Sequence, residues 1–139
     1  MIIYFSGTGN SRALAKVAAE CLSDELFSAP DAIRAGKYPD FASEKPYVFV
    51  CPTYAWRIPR VFESFIRNCR FSGSKSAYFI LTCGSEIGAA SKYVRALSAE
   101  KGFDYAGTLG ILAPENYIGY YNYITNSSNI FISYFLCSY

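Results

Sequence analysis

Residues 4–15, YFSGTGNSRALA, set Ser6, Thr8 and Ser11 around Gly7, Gly9 and Asn10, between an apolar run and an amphipathic segment. Hydroxyls and successive backbone amides at the start of a helix can surround a terminal phosphate. The oriented amides carry partial positive charge, and a dianion gains from the helix dipole. No lysine or arginine lies between Ser6 and Ser11, so such a cradle would be uncharged. The stretch is not G-x-x-x-x-G-K-[ST], which needs a lysine. It is a poor G-x-G-x-x-G, because Arg12 stands where a third glycine would let helix and strand pack closely. An ordinary capped helix after a glycine turn uses the same residue types, so the motif alone leaves both readings open.

Other residues able to do chemistry are few. There is no histidine, which excludes Ser-His-Asp and Cys-His nucleophile systems and histidine metal sites. The five cysteines, Cys21, Cys51, Cys69, Cys83 and Cys137, are scattered without a Cys-x-x-Cys pair, so zinc and iron–sulfur ligation lack their spacing. They read as small apolar residues of a reducing compartment. Cys83 has acidic Glu86 nearby and nothing to lower its pKa, so it reads as a spacer rather than a nucleophile. Tyr54 and the single tryptophan, Trp56, follow an apolar run and could stack on a planar ligand or pack under a loop. Arg57 beside them is either a cation facing that ligand or a solvated loop residue.

The elements that must position these residues follow from hydrophobic periodicity. "IIYF" (2–5), "YVFVC" (47–51), "AYFILT" (77–82) and "YAGTLGILA" (105–113) read as buried strands, with a weaker one in "DELFSA". Between them, Leu14, Val17, Ala18 and Cys21 mark one helix face. Phe62, Phe65, Ile66 and Cys69 mark a second, in a helix entered at Pro59. Ala90, Tyr93, Val94 and Leu97 mark the inward face of a third, over 88–101. Residues 29–46 are polar and proline-dotted, with one helical turn near 31–35. Strands alternating with helices predict an α/β domain with a parallel sheet. In such sheets ligands sit beyond the carboxyl ends of the strands, which selects the loops 6–11, 52–58, 82–88 and 114–117.

Composition agrees. A chain of 139 residues that is 52% hydrophobic is the size of one globular domain. A net charge of +2 without a basic cluster gives no indication of nucleic-acid binding. No apolar run reaches the roughly 20 residues of a membrane helix, and the start lacks a signal-peptide n-region, so a cytoplasmic location is expected.

With the loops in order, the sequence resembles a known family. "SGTGNS" after the first strand looks like the FMN-phosphate loop of flavodoxins, "CPTYAW" like the loop lining one flavin face, and "LTCGSEIG" like the loop bordering the isoalloxazine and its pyrimidine edge. "IPRVFESFI" and "APENYI" narrow the likeness to the flavodoxin-like half of proteins that join such a domain to a ferredoxin with two iron–sulfur clusters, although no cysteine-rich ferredoxin half follows here. The resemblance covers residues 1–122. It implies a flavodoxin-like three-layer sandwich with a five-stranded parallel sheet in the order 2-1-3-4-5. It implies FMN as cofactor, cycling between semiquinone and hydroquinone, and a redox partner of ferredoxin type. Ser6, Thr8 and Ser11 would donate hydroxyl hydrogen bonds to the phosphate, and Gly7, Gly9 and Asn10 would offer amides. Pro52, Thr53, Tyr54, Ala55 and Trp56 would line the ring. Thr82, Cys83 and Gly84 would face its pyrimidine edge, and Glu115, Asn116 and Tyr117 would border the rim.

Two functional alternatives share this architecture. One is an NAD(P)H-dependent flavin or quinone reductase, for which no second nucleotide motif is visible. The other is a non-catalytic interaction domain; a receiver-type version lacks acids at its strand ends, where Ser6 and Pro52 stand. The last helix of the family pattern is also altered. Residues 116–139 contain no charged residue, so 123–139 read as an aromatic-rich tail that either covers a bare sheet face imperfectly or drives self-association.

Overall fold

A computed structural model describes residues 1–113. Its strands are β1 (Ile2–Tyr4), β2 (Leu26–Ser28), β3 (Asp40–Ser43), β4 (Tyr47–Pro52), β5 (Arg70–Gly73), β6 (Ser76–Cys83) and β7 (Asp104–Leu112). Its helices are α1 (Asn10–Leu22), α2 (Ala29–Arg34), α3 (Arg60–Asn68) and α4 (Ala90–Glu100). Five strands form one parallel sheet in the order β2-β1-β4-β6-β7. Counting these five alone, this is the expected 2-1-3-4-5 order. β3 and β5 were not expected from the sequence; they pair in parallel as a separate two-stranded sheet.

Period-two alternation along β4 shows how the layers form. Val48 and Val50 point to the face covered by α1, where they meet Ile2, Tyr4, Leu14, Ala15, Ala18 and Ile80. Tyr47, Phe49 and Cys51 point to the other face and join Phe62, Phe65 and Ile66 of α3 with Val94 and Leu97 of α4. A strand apolar at every position is thus explained by helices on both sides. The small sheet extends the second layer. Tyr47 donates its hydroxyl to the carbonyls of Phe41 (3.2 Å) and Ser72 (2.7 Å), tying β4 to β3 and β5 from inside the core.

On the α1 face, Tyr78 of β6 is 45% exposed two residues from buried Ile80. The helix expected over that region, and the whole tail from 114 onward, lie outside the described residues. Among the described residues, no helix is long and apolar enough to cross a membrane.

Candidate functional site

The phosphate-loop candidate leaves the carboxyl end of β1, where the Phe5 amide donates to the Val50 carbonyl (2.9 Å). Gly9 takes a left-handed conformation (φ 111°) as N-cap of α1, a geometry glycine adopts without strain. Its amide donates to Ser6 Oγ (3.0 Å), which folds the loop, and its carbonyl accepts from the Ala13 amide (2.9 Å), which starts the helix. Gly7, Thr8 and Gly9 face solvent. Gly9, as the N-cap, has no side chain to bond the first turn of α1. The loop is therefore an open turn of amides and hydroxyls of the kind an anion can enter.

Ser11 differs from its expected role. It is buried, and its hydroxyl lies 2.8 Å from the Thr82 hydroxyl, also buried. That side chain joins α1 to β6 across the sheet end. Thr82 is likewise turned toward α1, and its carbonyl accepts from the Thr53 amide (2.8 Å), so the loops after β1, β4 and β6 are bonded to one another.

Pro52 ends β4, and residues 54–57 then form a two-residue turn. Tyr54 and Arg57 exchange both backbone hydrogen bonds, at 2.8 and 3.2 Å. Ala55 (φ 49°) and Trp56 (φ 58°) occupy left-handed positions that this turn ordinarily gives to glycine or asparagine, at about 1–2 kcal/mol each. Strain of this kind is concentrated at functional loops. The turn presents two exposed aromatics, Tyr54 (51%) and Trp56 (59%). Tyr54 reaches toward the first loop: a Cβ placed on Gly7 would lie 3.3 Å from its hydroxyl. Trp56 reaches toward the third: a Cβ on Gly88 would lie 2.0 Å from its Cδ1. The Thr53 hydroxyl is buried, and among the described residues it has no hydrogen-bond partner.

Arg57 is not the solvated loop arginine that the sequence left open. Its guanidinium donates to Glu63 Oε2 (3.0 Å) and lies 4.0 Å from the centroid of the Tyr93 ring. Glu63, nearly fully buried, is also paired with Arg67 (2.8 Å), which in turn holds Glu100 (2.9 Å). The sequence offers no functional signal for Glu63, and its periodicity places Tyr93 on the inward face of the third helix. An acid in the first turn of a helix reads as a dipole partner, and Tyr93 sits at a core-facing interval, yet it is exposed and serves as the platform for Arg57.

In the third loop Gly84 is exposed and Cys83 is buried. Burial, with a smaller contribution from Glu86, pushes the Cys83 thiol above its ordinary pKa, so it stays protonated and unreactive. Its Sγ donates weakly to the Ile111 carbonyl (3.7 Å). Among the described residues, no cluster of potential metal ligands occurs. Glu115, Asn116 and Tyr117 lie outside the described residues.

No family model matches this sequence, and no curated protein does. Solved structures do. Two-electron reduced Megasphaera elsdenii flavodoxin is similar at 16% identity and a TM-score of 0.55, over 80% of this chain and 83% of its own. A flavodoxin from the domain Archaea is similar at 13% identity and a TM-score of 0.57, over 82% and 84%. The fold is flavodoxin-like. The general stress protein 14 of Treponema denticola, solved in complex with FMN, has this fold too, at 11% identity and a TM-score of 0.55, over 81% of this chain and 85% of its own. These likenesses do not separate the ferredoxin-bearing relatives suggested by the sequence from other proteins of flavodoxin-like fold.

Proposed function

We propose that this chain binds FMN and acts as an electron-transfer module. The observation that carries the reading is the bonding of three loops into one rim: an open amide-and-hydroxyl turn after β1, a strained turn displaying Tyr54 and Trp56 after β4, and the Thr82–Gly84 segment after β6. The phosphate is held by the hydroxyls of Ser6 and Thr8 and the amides of the Gly7–Asn10 turn at the start of α1. Tyr54 and Trp56 cover the ring, and backbone groups of 82–84 meet its polar edge, with the Thr53 hydroxyl supplying a donor nearby. When bound, FMN stores and releases the electrons, while the chain binds, orients and shields it.

The site offers no histidine, and Cys83 holds its proton. A site without an acid, base or nucleophile suits a carrier better than an enzyme that turns over a substrate. The test is a titration of the apoprotein with FMN and with riboflavin. FMN should bind far more tightly. Thr8→Ala should weaken FMN by one to two orders of magnitude, the equivalent of about 1.5–3 kcal/mol for a charge-assisted bond, with riboflavin little changed. Equal affinities for the two flavins would remove the phosphate role of the loop. The holoprotein should oxidise NAD(P)H only slowly; rapid, saturable turnover with a quinone would make it a reductase.

A further inference from the structure

The rim that bears the candidate site continues, on its α3–α4 side, into a patch with the composition of a protein–protein contact. Among the described residues eight large apolar side chains are exposed, and four belong to this region: Tyr54, Trp56, Val61 and Tyr93. Val61 lies in the first turn of α3 and Tyr93 near the start of α4. Arg57, held by Glu63 and laid over Tyr93, joins the turn to α4 as a preorganised cation. Exposed Arg60 and Lys92 lie in the first turns of the same two helices and form no ion pair among the described residues. Exposed aromatics with arginine are enriched at contact surfaces relative to the rest of a protein surface.

The charges are also of the wrong sign for helix stability. A helix N-terminus carries partial positive charge and favours acids in its first turn. α4 has none there, and the one acid of α3, Glu63, is buried between two arginines. Arg60 and Lys92 therefore add to the positive potential of two helix ends instead of offsetting it, and Glu86 is the exposed acid in the adjoining loop.

The geometry points to this patch as a docking surface for an acidic protein, one that sets carboxylates around an apolar contact. That the partner exchanges electrons with the chain rests on the proposed function; its charge and its place on the α3–α4 side do not. The probe is an immobilised small acidic ferredoxin, with a basic c-type cytochrome and a single-stranded DNA as comparison surfaces, and binding needs no flavin. The chain should be retained by the acidic protein at low salt. Retention should fall about tenfold as salt rises past the physiological range, and about tenfold again in Arg60→Glu/Lys92→Glu. Both residues are exposed, and a melting curve of the double variant confirms that it folds. Equal retention on the cytochrome or the DNA, or retention unchanged by the double reversal, overturns the inference. FMN binding is read on the same preparation by quenching of flavin fluorescence, so a failed flavin reading and a failed docking surface give different results.

Discussion

The hydroxyls of Ser11 and Thr82 meet at 2.8 Å across 71 residues of sequence, both buried, where α1 leaves the first loop and β6 enters the third. A hydroxyl in that position fixes the first loop against the neighbouring strand end. Buried pairs of this kind are worth little on balance and are costly to break on one side.

Thr82→Val should therefore strand the Ser11 hydroxyl and lower stability by about 1–3 kcal/mol. Ser11→Ala/Thr82→Val should lose less than the sum of the single changes, with a coupling of about 1 kcal/mol. Urea denaturation of the four proteins measures it. Strictly additive losses would mean the two hydroxyls do not meet in solution.

Glu63 is the hub of the second constraint. Glu63→Gln removes the charge between Arg57 and Arg67. Losing one member of a fully buried pair costs about 3–5 kcal/mol. Here the arginines are 30% and 43% exposed, so water screens part of the loss and about 1–3 kcal/mol is expected. The turn at 54–57 should also loosen, changing the emission of Trp56 and weakening FMN several-fold. Arg67→Gln, which leaves the Arg57–Glu63 pair intact, should cost stability and leave the emission as it was. Identical spectra for both variants would show that the ion pair does not hold the turn.

The main sheet was legible because β4 and the Ala77–Leu81 stretch of β6 are unbroken apolar runs and the helices between the strands repeat at 3.6 residues; Phe62, Phe65, Ile66 and Cys69 are all buried as that spacing requires. The β3–β5 pair was not, because Asp40–Ser43 and Arg70–Gly73 are four-residue strands whose partner is a distant segment, and neither alternates clearly. The three loops were legible from position alone, since β1, β4 and β6 must end side by side. What each side chain does within them was not. Whether Ser11 faces the ligand or Thr82, and whether Tyr93 faces the core or Arg57, depends on a few tens of degrees of helix rotation, below the resolution of a periodic pattern.

Buried thiols set a limit on alkaline stability. Burial raises Cys69 from 9.0 to about 12, and raises fully buried Cys51 as well. Below pH 9 folded and unfolded chains both hold the Cys69 proton, and stability does not depend on it. Between pH 9 and 12 the unfolded chain releases that proton while the folded chain keeps it, so stability falls by about 1.4 kcal/mol per pH unit. Cys69→Ala should be less stable at pH 7 through lost packing, but the deficit should shrink from pH 9 to 10.5 in urea titrations. A deficit constant across that range would mean the thiol titrates normally.

Gly88 and Trp56 give the most local test of the rim. Gly88 has φ 49°, and any Cβ there would fall 2.0 Å from Trp56 Cδ1, a clash with the edge of the indole. Gly88→Ala must then both strain its own backbone, by about 1–2 kcal/mol, and push the indole off the third loop. Because Trp56 is the sole tryptophan, its emission reports that displacement without interference. Acrylamide should quench the variant more efficiently than the parent. FMN, which in the parent should quench Trp56 by ring contact, should do so less in the variant and bind more weakly. Gly84→Ala is the control: it alters the same loop at another exposed position and should leave the acrylamide response unchanged. If Gly88→Ala and the parent are quenched alike by both agents, Trp56 does not rest on Gly88, and the ring it was assigned to cover must be held by other groups.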